Sequence, residues 1–135
     1  MRDHDAAMLV YVQLAELSQS RGQLLPRDRF LLIAGAAALN AGYPAVAQRC
    51  RELILAHNPA HLAGRFATLA EAIRDDDFQK LLERTERNCP FEKAEHLLAG
   101  LEICTPPQSL PPGQSLGEFA LERLGRSESA RKPLH

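Results

Sequence analysis

The chain is short of the residues on which several kinds of protein depend. It has three cysteines, Cys50, Cys89 and Cys104, in 135 residues. Three thiols cannot close a disulfide framework, and their spacing fits no zinc pattern, so free thiols in a reducing compartment are expected. Neither sign of charge is in excess: the formal net charge is −1 and the pI about 6.5. That balance leaves no basic footprint for nucleic acid and no polybasic contact for a membrane surface. Lysine is scarce, with 3 of the 16 cationic residues. The arginine excess suits bidentate and interfacial contacts, although genome composition is the first explanation for it. The longest apolar run, "FLLIAGAAAL" at residues 30–39, is ten residues long, too short to span a bilayer. The opening "MRDHDAAMLVYVQLAELSQ" has acids beside its basic residue and no small-residue cleavage site, so it does not read as a signal peptide. A cytoplasmic location is expected. No nucleophile motif, glycine-rich phosphate loop or Ser/His/Asp signature occurs.

What is present is helical pattern divided by proline. The length suits one domain with a sizeable core, and 45% of the residues are apolar. Four of the nine prolines, Pro26, Pro44, Pro59 and Pro90, each precede an apolar-periodic segment. Proline is favoured in a first helical turn, where its missing N–H has no intrahelical partner to lose. The other five lie in about the last thirty residues. A folded domain over residues 1–104 is therefore expected, followed at 105–135 by a proline-rich linker and tail.

About six helices are expected in the domain. The first covers residues 5–20, with Met8, Leu9, Tyr11, Val12 and Ala15 on a wide apolar arc and Gly22 as its stop. The second covers 26–41. The third covers 44–57, with Val46, Ala47, Cys50, Leu53 and Ile54 on one face. The fourth follows Asn58-Pro59, with Leu62, Phe66, Leu69 and Ile73 aligned. The fifth begins at "RDDDF" with an aspartate N-cap and aligns Phe78, Leu81, Leu82 and Thr85. The sixth follows Cys89-Pro90 and aligns Phe91, Ala94, Leu97, Leu98 and Leu101. These are 3.6-residue periods, and no segment alternates as a strand does. Gly42 suits a left-handed helix end, and Asn58 suits a helix cap. Loops this short imply antiparallel helical hairpins. The fold class is all-α.

Helix starts near residues 26, 44, 59, 75 and 90 recur every 15 to 18 residues, the scale of helical-hairpin repeats. The stretch 31–59 resembles one tetratricopeptide repeat. "AGAAALNAGYPAVAQRCRELILAHNP" places Gly35 where that family keeps a small residue, Gly42 and Tyr43 at its inter-helix turn, Ala47 at the small residue of its second helix, and Pro59 at its close. It departs from the family at Leu31, in place of a large aromatic, and at Ala38, in place of tyrosine. The next pair keeps "DDF" at the turn, has Leu69 and Leu81 where small residues belong, and is shorter than a full repeat. The fold expected is thus a right-handed tetratricopeptide-like array or a compact helical bundle. The resemblance implies a protein–protein interaction module that binds a peptide or amphipathic helix. It would place Arg29, Leu32, Ala36 and Asn40 on the concave face. That face is mostly apolar, so an apolar helix is the expected ligand, and the chain's own residues 116–125 are one candidate.

Other readings compete with this one. His57 and His61 are four apart, as two ligands on one helix would be, but Pro59 falls between them. "FEKAEHLL" sets Glu92 four before His96 beside Glu95, yet a di-iron bundle needs Glu-x-x-His on two helices. "RDDDF" lacks the alternating ligands of a calcium loop and is explained by capping. Cys89 has Arg84 and Arg87 near in sequence, a setting that can activate a thiol. A small all-α enzyme, or a metal or redox protein, would have to bring His57, His61, His96 and Cys89 into one cleft. An obligate homodimer would instead use the broad apolar arc of the first helix, unless other helices cover it. "AGAAALNAG" packs either within the chain or between subunits. In the tail, "TPPQSLPPGQS" is polyproline-prone, and Leu116, Phe119, Ala120, Leu121 and Leu124 mark a possible short helix at 116–125. That segment either docks, on its own chain or another, or is a disordered end.

Overall fold

A computed structural model of the protein describes residues 4–101 and 116–131. All regular elements among the described residues are helical, which bears out the all-α class. They are α1 (His4–Ser20), α2 (Leu24–Ala41), α3 (Pro44–His57), a 3-10 turn at Leu62–Arg65, α4 (Leu69–Ala72), α5 (Asp76–Asn88), α6 (Phe91–Leu101) and α7 (Leu116–Arg131).

The first three helices end and begin where local chemistry directs. Gly22 follows α1 with φ 72°, and Gly42 follows α2 with φ 92°. After α2, the Tyr43 N–H donates to the Ala38 carbonyl at 2.7 Å and the Gly42 N–H to that of Leu39 at 3.2 Å. This paired Schellman pattern satisfies carbonyls that the helix end leaves open. It recurs after α1, with Gln23 on Ser18 and Gly22 on Gln19. Pro44 stands in the first turn of α3. The side chain of Asp75 caps α5, accepting from the Phe78 N–H at 3.0 Å.

The fourth expected helix does not form. Residues 58–75 make turns, the 3-10 segment and the four-residue α4. Side chains take over the hydrogen bonds that a helix would have supplied. Asn58 Oδ1 accepts from the Ala60 N–H, His61 Nδ1 from that of Ala63, and Thr68 Oγ1 from that of Glu71. Arg51 donates to the extended Phe66 carbonyl at 2.6 Å. The apolar spacing that read as a helix survives only as inward contacts: Ala63, Leu69 and Ala72 are buried, and Leu62, Phe66 and Ile73 pack against the core.

Helix α1 lies at the centre. Residues 7–15 are all buried, including Gln13. A helix buried on every side needs neighbours all round, and α2, α6 and α7 supply them. Helix α2 packs in turn on α3, α4 and α5, and α7 packs on both α1 and α3. Helices α1, α2, α3 and α7 therefore form a closed ring, each touching the next. The arc of α1 that offered a homodimer surface is covered within the chain.

The α2–α3 contact is close at Gly35, where an added Cβ would lie 2.5 Å from Leu69 Cδ2 and 3.4 Å from Cys50 Cβ. The small-residue run of α2 is used for packing inside the chain. The boundary expected at residue 104 does not divide the core. Phe119, Ala120 and Leu124 of α7 belong to the same buried cluster as α1, α2 and α3. The expected helix 116–125 extends to Arg131. Cys104 and the proline-rich linker that precedes α7 lie outside the described residues.

Candidate functional site

Two features bring chemistry together: the face of α1 and α3 that holds α7, and a buried polar cluster where α1, α2 and α3 meet.

On the first, Phe119 is 6% exposed and Leu124 1%, with Ala120 fully buried between them. Residues spaced one, four and five along a helix share one face. Burying the two large side chains contributes about 3–6 kcal/mol. A third contact orients the helix. The Arg123 guanidinium donates to Glu16 Oε1 at 3.1 Å and lies 5.0 Å from the centre of the Phe119 ring. Cation and ring attract in this arrangement. Gln13, Glu16, Leu17 and Ser20 of α1 form, with Arg123, a cavity of about 260 Å³ beside the seam.

The second feature was not legible in the sequence. "PRDRF" reads as a charged helix start, yet Arg27 is 2% exposed and Asp28 7%. Arg27 donates through Nε (3.2 Å) and Nη2 (2.8 Å) to Asp28 Oδ1, and through Nη2 to the Leu53 carbonyl at 3.0 Å. Its Nη1 reaches Gln19 of α1. The other Asp28 oxygen takes His57 Nδ1 at 2.6 Å. A buried charge is costly unless paired and hydrogen-bonded, and here the partners of Arg27 and Asp28 come from α1, from α3 and from each other. The cluster clasps the ends of α1 and α3 to the start of α2. A sequence signal existed only as two charges against an apolar run, which resembles an ordinary solvated first turn.

The residues expected to act together are distributed as follows. Leu32 and Ala36 are core residues at 2% and 5% exposure, while Arg29 and Asn40 are exposed. The four therefore do not present one open surface. Leu32 and Ala36 are consumed by packing, since α2 is covered by α1, α3, α4 and α5. His57 and His61 both lie near Asp28. Burial pushes the His61 pKa below its ordinary 6.5, and the negative charge of Asp28 opposes that shift. The Nδ1 of His61 accepts from the Ala63 N–H at 3.0 Å, so its proton sits on Nε2. A ring protonated there does not offer that nitrogen to a metal.

His96 is exposed on α6. Cys89 lines a different cavity of about 110 Å³ with Pro26, Arg29, Phe30, Ile33 and Thr85. Burial raises its thiol pKa, and Lys93 opposes this. Burial outweighs the nearby cation, the opposite of the electropositive setting that activates a thiol. The Cys50 thiol, fully buried, is pushed up to about 12. Among the described residues no three His, Cys, Asp or Glu side chains gather as metal ligands. A third cavity of about 370 Å³ lies between Leu39, Pro44, Gln48 and Leu69, with mainly apolar walls.

Comparison with known proteins adds no family to this picture: no family model, no curated protein and no solved structure matches the chain. No helix among the described residues is long and apolar enough to cross a membrane.

Proposed function

We propose that the protein is a non-catalytic protein–protein interaction module whose α1/α3 face receives an amphipathic helix. The observation that carries this reading is the seating of α7. An amphipathic helix, joined to the rest by a separate segment of chain, fills that face with Phe119, Ala120 and Leu124 and is oriented by Arg123 on Glu16. The partner that would take the place of α7 is a helix from another protein with the same pattern: an aromatic, a small residue, then a basic residue and a leucine four and five positions after the aromatic. This is the helix-in-groove mode of recognition.

The partly buried Glu16 requires the cation, since an acidic helix would leave it opposed by like charge. The tetratricopeptide resemblance supports an interaction role in the same direction, through the small residues Gly35 and Ala47 at the α2–α3 contact. The free thiols of Cys50 and Cys89 suit the reducing cytoplasm. Asp28 and His57 are assigned a structural part. Asp28 is already engaged by Arg27, and neither side chain lines any of the three cavities described above.

The test is fluorescence anisotropy with a fluorescein-labelled peptide of residues 116–131. Full-length chain carrying Phe119→Ala and Leu124→Ala has a weakened α7 and binds the peptide saturably. Wild type binds it more weakly, because its own α7 competes at an effective concentration on the order of millimolar. A variant that is folded by circular dichroism and shows no saturable binding refutes the proposal.

A further inference from the structure

Of the glycines whose surroundings the structure describes, Gly22, Gly35 and Gly42 are required by backbone or packing and Gly64 has a close neighbour, while Gly125 has neither. Gly22 and Gly42 have positive φ, and Gly35 lies where a Cβ would collide with Leu69. Gly125, inside α7, has no positive φ, and a Cβ built on it meets no atom within 4 Å. The helix continues past it to Arg131. Glycine inside a helix costs stability relative to alanine through its greater backbone freedom in the unfolded state. At Gly125 no turn, close approach or left-handed backbone offsets that cost.

Taking the proposed α1/α3 site as given, we infer that α7 is a latch of limited strength. It is a self-ligand that keeps the face closed until a stronger helix of the same pattern displaces it. Three observations combine in this. The anchors of α7 are good: two large buried side chains and a cation set between Glu16 and the Phe119 ring. Its backbone is weaker than its surroundings require. Fourteen residues, 102 to 115, join it to α6, so it competes for the face as part of the same chain. A competitor from another chain must win on intrinsic affinity, and a self-ligand weakened at one backbone position lowers that threshold. The partner is thus an amphipathic helix with a basic residue at the position of Arg123 and no interior glycine. It opens the module by taking the place of α7.

The experiment uses full-length chains and a labelled 116–131 peptide that carries Gly125→Ala. Wild type is expected to bind this probe. The G125A chain, its latch strengthened, binds it about five-fold more weakly, the equivalent of about 1 kcal/mol. An R123E chain, its latch loosened, binds the probe more tightly than wild type does. A probe that also carries R123Q binds the wild-type chain more weakly than the parent probe. Equal affinity of the parent probe for wild type and G125A overturns the latch while leaving the helix-binding face in place. Absence of saturable binding to all three chains, each folded by circular dichroism, removes the face itself and the latch with it.

Discussion

Replacing Asp28 by alanine takes the carboxylate away from a guanidinium that is 2% exposed. Arg27 loses both of its bonds to Asp28 Oδ1, and His57 loses its 2.6 Å contact. Removing one partner of a buried ion pair costs about 3–5 kcal/mol. Arg27 keeps the Leu53 carbonyl and Gln19, so the lower end, about 3 kcal/mol, is expected. With an unfolding entropy of about 2.1 cal/mol/K per residue, 135 residues give about 0.28 kcal/mol/K, so Tm falls by about 10 °C. Circular dichroism at the helical band, followed through thermal unfolding, reads this directly. The double variant Arg27→Met/Asp28→Leu removes both charges together and should be more stable than Asp28→Ala, because no unpaired guanidinium remains inside. A loss below about 1 kcal/mol for Asp28→Ala, or a double variant no more stable than the single one, would show that the cluster is not paired as described.

Gly35→Ala forces a methyl to within 2.5 Å of Leu69 Cδ2, whose side chain is itself buried, and should cost about 1–3 kcal/mol by overpacking, measured by urea unfolding. His61 has a folded-state pKa below its unfolded 6.5, so the native state binds fewer protons there. Its contribution to stability is complete above pH 6.5 and is lost as pH falls toward the folded value. Urea midpoints should therefore drop on acidification below 6.5, and by less in His61→Asn, which keeps a capping side chain. Cys50, raised to about 12, stays a thiol in the native state. A thiol reagent at pH 8 should label it only after denaturation, and the stability linked to its neutral form should decline only as pH rises from 9 toward 12.

Much of the local structure was legible in the residues. Gly22 and Gly42 stop helices because the positive φ that closes a Schellman turn favours glycine. Pro44 and Asp75 open helices for reasons equally local. The five apolar residues expected on one face of α3 are its five buried ones. The misreading at residues 58–75 has a physical cause. Periodicity records which side chains turn inward, and an irregular segment can turn the same ones inward while His61, Thr68 and Arg51 satisfy its backbone. The misplaced groove has another. Leu32 and Ala36 face outward only if the neighbours of α2 leave that side open, and α2 packs on α1, α3, α4 and α5.

The sequence by itself determined the helical class, the first three helices with their caps, and the amphipathic character of residues 116–125. These depend on backbone preferences and spacings that act within a few residues. Only the tertiary structure decided that α7 closes a ring with α1, α2 and α3, that Arg27 and Asp28 are interior, and that α1 is central. Each of those follows from which surfaces meet across long stretches of chain. Arg27 is tolerable inside only because Gln19, Asp28 and Leu53 converge on it from three helices, and no window of sequence contains that convergence.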